Sequence, residues 1–130
     1  MEKKIEIIFN KFFEYKENKF FAEKIDVGEL AKKYGTPLYI YSLNYLFKQI
    51  NDFKDAFSSF PSLICYSVKA NSNINILKFI NKNNLGVDVV SEGELRRALI
   101  AGFNGNRIVF AGVGKSEGEI EFAIKNKIYC

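Results

Sequence analysis

Histidine is absent from this 130-residue chain, cysteine and proline occur only twice each, and arginine only three times. Without an imidazole to activate a thiol, Cys-His catalysis is excluded within the sequence. The two cysteines, Cys65 inside an apolar run and Cys130 at the last position, lack the short spacing of a metal site and are too few for a disulfide framework. Cys65 therefore reads as a small core residue. No apolar run reaches 18 residues and charge begins at Glu2, so neither a membrane-spanning helix nor a secretory signal is expected, and the default location is cytoplasmic. Net charge is +4, yet the lysines are scattered among 15 acidic residues with no block of like charge. That pattern describes solvated faces, and neither nucleic acid nor a membrane surface is expected as a partner.

What is present is enough apolar residue, 48% of the chain, to build one ordinary domain core. Residues 11–25 read as a β-hairpin, with Phe12–Tyr15 and Phe20–Ile25 flanking a polar turn at Lys16–Lys19. Val27, Leu30, Ala31 and Tyr34 then fall at helical spacing between Asp26 as N-cap and Gly35 as terminator, after which Pro37 forces an extended exit. A second helix behind Ser42 carries Leu43, Leu46, Phe47, Ile50, Phe53 and Phe57 in one stripe. Beyond Pro61 strands are expected at 63–68, 87–90 and 107–111 and from Lys127, with helices at about 74–82, 92–101 and 117–126. Short β-branched strands alternating with helices indicate an α/β fold with a parallel sheet, either doubly wound or a barrel.

The chemistry concentrates in Leu63-Ile64-Cys65-Tyr66-Ser67-Val68-Lys69-Ala70-Asn71, an apolar run that ends in a single lysine. A parallel α/β architecture presents side chains to ligands at its strand tips. A partly desolvated Lys69 amine there can form a Schiff base with a carbonyl compound such as pyridoxal phosphate; the competing reading is a solvated surface lysine. Ser67 stands two residues earlier, on the same strand face. Asp88 lies inside the apolar run Val87-Asp88-Val89-Val90, where a carboxylate is costly without a partner; a strand-end carboxylate reaching solvent or a helix cap is the alternative.

Other motifs have structural explanations. Ser91-Glu92-Gly93-Glu94 and Ser116-Glu117-Gly118-Glu119 are two copies of a helix-capping pattern, which keeps Glu94 off the catalytic set. Gly112-Val113-Gly114-Lys115 lacks the spacing of a nucleotide-binding loop, and Lys115 is expected to face solvent. Asn71, Ser72 and Asn73 are expected to cap the following helix, and Arg96-Arg97 to occupy an exposed helix face.

Four segments in order, Tyr34–Ser42, Tyr66–Asn71, Val87–Leu95 and Ile108–Lys115, closely resemble the diaminopimelate decarboxylase family, pyridoxal-phosphate enzymes with an alanine-racemase-like barrel. The resemblance implies a (β/α)8 TIM-type barrel, with residues 1–34 belonging to a second, β-rich domain and residues 35–130 forming its first three to four βα units. It implies Lys69 as the residue that holds pyridoxal 5'-phosphate and Asp88 as the strand aspartate close to cofactor and lysine. At Ser67 the family usually has alanine. The implied reaction is decarboxylation of meso-2,6-diaminopimelate to L-lysine. Ornithine, arginine or carboxynorspermidine decarboxylation, or non-catalytic cofactor binding, are the alternatives. A complete barrel takes about 250 residues, so the chain is expected to be the N-terminal part of a longer homodimeric enzyme and to be inactive alone. The ring-stacking histidine, the glycine-rich phosphate loop, the glutamate on the ring nitrogen, and the substrate-side cysteine and tyrosine would all lie outside it.

Overall fold

The computed structural model describes residues 11–128. The chain divides into two compact units, Met1–Asp55 and Ala56–Cys130.

In the first unit, β1 (Phe13–Lys16) and β2 (Lys19–Ala22) form an antiparallel hairpin, and β3 (Ile25–Asp26) adds a third strand to β2. The turn is tighter than the sequence suggested. Lys16 and Lys19 pair across it, and Glu17 and Asn18 occupy the left-handed region at φ 48° and 62°, the geometry of a two-residue hairpin turn. The expected second strand is also broken at Glu23, whose φ is 58°, so Ile25 and Asp26 turn back to pair with β2.

Helix α1 (Val27–Tyr34) begins and ends as its sequence dictates. The Asp26 carboxylate accepts from the Gly28 N–H at 2.7 Å, and the Gly35 N–H donates to the Ala31 carbonyl at φ 83°. Ser42 Oγ accepts from the Tyr45 N–H at 2.9 Å and so caps α2 (Leu43–Ala56). Ser42 Oγ and the Asn44 amide in turn donate to Glu23, which tethers the start of α2 to the end of the hairpin and holds the Glu23 carboxyl below its ordinary pKa. The apolar stripe of α2 is only partly core. Ile50 is buried, whereas Leu43, Phe47, Phe53 and Phe57 are each about half exposed. Spacing sets the helix, but burial requires an opposing layer, and within this unit only Phe12, Ala22 and Ile50 are buried among the described residues.

The second unit is a three-stranded parallel sheet in the order β4 (Cys65–Ser67), β5 (Gly86–Val89), β6 (Ile108–Phe110), with α3 (Ile74–Lys82), α4 (Glu92–Ile100) and α5 (Glu117–Lys125) following the strands in turn. The α/β class expected from the sequence is therefore observed. Alternation along the strands separates two faces. Val87, Val89, Ile108 and Phe110 are buried together with Leu77, Ile80, Leu95 and Ala98 from the helices. Fully burying a side chain such as Leu77 contributes about 1.5–3 kcal/mol. The opposite face carries Cys65, Ser67, Asp88 and Val109, all half-buried. The strand expected from Lys127 does not begin there: Lys127 sits in a turn at φ 53°, the Ile128 N–H donates back to the Ala123 carbonyl at 3.1 Å, and residues 129–130 lie outside the described residues.

Candidate functional site

The open face of the parallel sheet is positioned by close backbone packing beneath it. A Cβ placed on Gly86 would lie 2.7 Å from the Arg107 carbonyl oxygen and 2.9 Å from Cys65 Sγ, so β4, β5 and the approach to β6 meet at a position that only glycine fills without displacement. Two residues along β5, Asp88 stands in register with Ser67 on β4 and Val109 on β6. Ser67 Oγ donates to Asp88 Oδ2 at 3.2 Å. The partner that a carboxylate in an apolar strand requires is thus a hydroxyl on the neighbouring strand. Burial, and after it the Asp88 charge, pushes the Cys65 thiol above its ordinary pKa, leaving it a poor nucleophile at neutral pH.

Lys69 is placed differently from its sequence expectation. The strand ends at Ser67, and Val68–Ala70 form a 3-10 turn, so alternation no longer puts Ser67 and Lys69 on a shared strand face. Val68 is fully buried and pins the turn, while Lys69 is exposed rather than partly desolvated. The segment after the turn is fixed by short polar contacts. Tyr66 Oη donates to the Asn71 carbonyl at 3.1 Å, Asn71 Oδ1 accepts from the Asn73 N–H at 3.0 Å, and Asn73 Oδ1 caps α3 through the Asn75 N–H at 2.9 Å. Lys69 Nζ has no hydrogen-bond or ion-pair partner among the described residues.

The loops following β5 and β6 are closed by the two serine-glutamate motifs. Ser91 Oγ accepts from the Glu94 N–H at 3.3 Å, and the Glu94 carboxylate reaches back to the Val90 N–H at 2.9 Å. At α5 the capping box is complete: Ser116 Oγ accepts from the Glu119 N–H, and Glu119 Oε2 accepts from the Ser116 N–H at 2.9 Å. The remaining oxygen of Glu119 accepts from the Glu92 N–H at 3.1 Å, a link between the starts of α4 and α5. These N–H donors, led by that of Ser116, hold the Glu119 carboxyl below its ordinary pKa.

Lys115 does not simply face solvent. Its Nζ donates to the Gly112 carbonyl at 2.9 Å and lies 5.0 Å from the Phe110 ring centroid, folding the loop onto itself. Arg96 pairs with Glu92 and covers the Phe122 ring at 4.2 Å, and Arg97 reaches the Ser72 carbonyl at 3.3 Å, so the exposed pair ties α4 to its neighbours.

Two contacts escaped the sequence reading: Ser67 as the partner of Asp88, and Glu119 as the link to α4. Each requires the relative placement of segments more than 20 residues apart. The available signal was the equivalent position of Ser67 and Asp88 near the ends of successive strands.

Comparison with known proteins fits this arrangement. Residues 43–130 match the family model described as the pyridoxal-binding domain of pyridoxal-dependent decarboxylases. A diaminopimelate decarboxylase from Haemophilus influenzae is 46% identical over 119 residues, which are 92% of this chain and 29% of that protein. The crystal structure of diaminopimelate decarboxylase from M. jannaschii in complex with L-lysine superposes with a TM-score of 0.88 at 35% identity, covering 92% of this chain and 29% of that one. The arginine decarboxylase of Paramecium bursaria Chlorella virus is more distant, with a TM-score of 0.62 and 25% identity over 78% of this chain and 28% of that one. The chain thus spans less than a third of the length of the relatives it matches. With the ordered motifs, the parallel sheet and the family match in agreement, the chain belongs to the pyridoxal-dependent decarboxylases, of which it carries the pyridoxal-binding domain region.

Proposed function

We propose that this chain supplies the cofactor-anchoring part of a decarboxylase that converts meso-2,6-diaminopimelate to L-lysine, with Lys69 as the residue that holds pyridoxal phosphate. The observation carrying this reading is an exposed Lys69 amine without a protein partner among the described residues, on a turn that directly follows a parallel strand and is pinned by the buried Val68. These residues fit the cofactor. An aldehyde reacts with the neutral amine, a form that a carboxylate paired with the ammonium would disfavour, and the Asp88 carboxylate is instead held by Ser67 on the adjoining strand.

When bound, pyridoxal phosphate supplies an electron sink for the pair left behind as the substrate carboxylate departs as carbon dioxide. The residues of this chain bind and orient. Lys69 anchors, Val68 and the Asn71–Asn73 contacts hold its turn, and Asp88 places a carboxylate on the open face of the sheet. Cys65, with its thiol held protonated, contributes packing rather than reactivity.

In this reading residues 35–130 form the first βα units of a (β/α)8 barrel whose interior is lined by Cys65, Ser67, Asp88 and Val109, and residues 1–34 belong to a second, β-rich domain. By resemblance, the whole enzyme is a homodimer acting on a small amino acid. The greater identity to diaminopimelate decarboxylase than to arginine decarboxylase supports the former substrate.

Borohydride reduction of the full polypeptide loaded with pyridoxal 5'-phosphate, followed by peptide mass mapping, tests the assignment. The phosphopyridoxyl mass is expected on the peptide containing Lys69, and assay with meso-diaminopimelate is expected to yield L-lysine. A label on another lysine overturns the anchor, and turnover of arginine or ornithine in preference to diaminopimelate overturns the substrate.

A further inference from the structure

Ser67 has one short side chain and one use for it. Its hydroxyl donates to Asp88 Oδ2 at 3.2 Å across strands in which the two residues are register partners. Among the described residues no other group hydrogen-bonds or ion-pairs with that carboxylate. The terminal torsion of an aspartate is soft, so without the hydroxyl the carboxylate samples a broad range of orientations. The carboxylate acts along β4 as well: its charge contributes to the raised pKa of the Cys65 thiol, two residues before Ser67. Immediately after Ser67 the strand passes into the 3-10 turn that carries Lys69. A contact at residue 67 therefore joins the charged residue of β5 to the last strand position before that turn.

We propose that Ser67 is a positioning residue that acts through Asp88, orienting its carboxylate so that the negative charge favours the positively charged nitrogen of lysine-bound pyridoxal phosphate. The inference rests on the Lys69 reading above and adds to it a residue that neither touches the cofactor nor reacts. An opposite charge favours the charged form of a nitrogen held beside it. The hydroxyl sets where that charge stands.

The test is a titration of the full polypeptide with pyridoxal 5'-phosphate, read by the visible absorption of the lysine-bound cofactor, in the unaltered protein and in Ser67→Ala, Ser67→Thr, Asp88→Ala and the Ser67→Ala/Asp88→Ala double variant. Ser67→Ala is expected to weaken binding by about tenfold, the equivalent of ~1.4 kcal/mol for a hydrogen bond to a charged group. Ser67→Thr, which keeps the hydroxyl, is expected to restore it. In the Asp88→Ala background Ser67→Ala is expected to cost nothing further, because the residue through which it acts is gone.

An unchanged affinity in Ser67→Ala overturns the proposal. So does the same tenfold loss with Asp88 already removed, which would mark a purely structural effect of the serine. If Ser67→Ala fails to fold, Ser67→Thr against Ser67→Val, similar in shape and differing in the hydroxyl, makes the same comparison with the same expected tenfold difference. Lys69→Arg, run in parallel, separates the two readings. Its visible band is expected to vanish; a band that survives overturns the Lys69 assignment together with this inference, whereas a lost band with an unaffected Ser67→Ala overturns the positioning role alone.

Discussion

Replacing Gly86 by alanine adds a single methyl group, and the structure gives the consequence a sign and a size. The new carbon would stand 2.7 Å from the Arg107 carbonyl oxygen, 2.9 Å from Cys65 Sγ and 3.3 Å from Leu63 Cδ1. The first neighbour is backbone, so relief requires β5 to shift against the chain leading into β6, and the Gly86 N–H bond to the Ile64 carbonyl at 2.9 Å resists that movement. Overpacking of this kind costs about 1–3 kcal/mol, with the upper part of the range appropriate to a backbone clash. The reduced freedom of the unfolded chain offsets about 0.4–1 kcal/mol. A net destabilisation of about 2 kcal/mol is expected, roughly a 30-fold change in the folding equilibrium constant. Gly118 provides the internal comparison. It lies in the first turn of α5, and an added methyl there would meet nothing within 4 Å, so Gly118→Ala is expected to stabilise by about 0.5–1 kcal/mol through helix propensity. Urea denaturation of the two variants followed by circular dichroism measures both. Equal and small effects would contradict both expectations, because the same substitution must have opposite signs at a crowded and an open position.

Ser91→Ala and Ser116→Ala each remove an N-cap acceptor and are expected to cost about 1 kcal/mol in the same denaturation assay. Glu119→Gln keeps the capping geometry but removes the titration. Since the folded carboxyl lies below its ordinary pKa, its contribution is present above the unfolded pKa and is lost as pH falls through the folded one. Stability of the glutamine variant should therefore decline less over that acidic window, and parallel denaturation midpoints against pH would reveal curves of identical shape if the carboxylate were irrelevant. Cys65, in a Cys130→Ser background, should alkylate more slowly than a free thiol at neutral pH. Asp88→Asn should speed it only in part, because burial is the larger cause of the raised thiol pKa; full recovery of free-thiol reactivity would contradict that order.

The helices were legible because their determinants are local. Asp26 and Gly35 bracket α1, Asn73 caps α3, and Ser116 with Glu119 forms the box at α5, each within a few residues of its partner. The alternation of apolar strands with these helices likewise pointed to a parallel α/β arrangement. Other features could not be read that way. The 3-10 turn at Val68–Ala70 ended β4 before Lys69, the break at Glu23 produced a third strand, and the α2 stripe stayed half exposed.

Neighbouring residues along the chain were enough to set which segments are helices, where they start and stop, and that Lys69 and Asp88 are the residues whose chemistry calls for explanation. The partnering of Asp88 by Ser67, and the reach of Glu119 across two helix starts, came from the folded chain alone. Caps and periodicity are settled within about one helical turn, whereas strand register between segments about 20 residues apart is set by how the intervening helices pack.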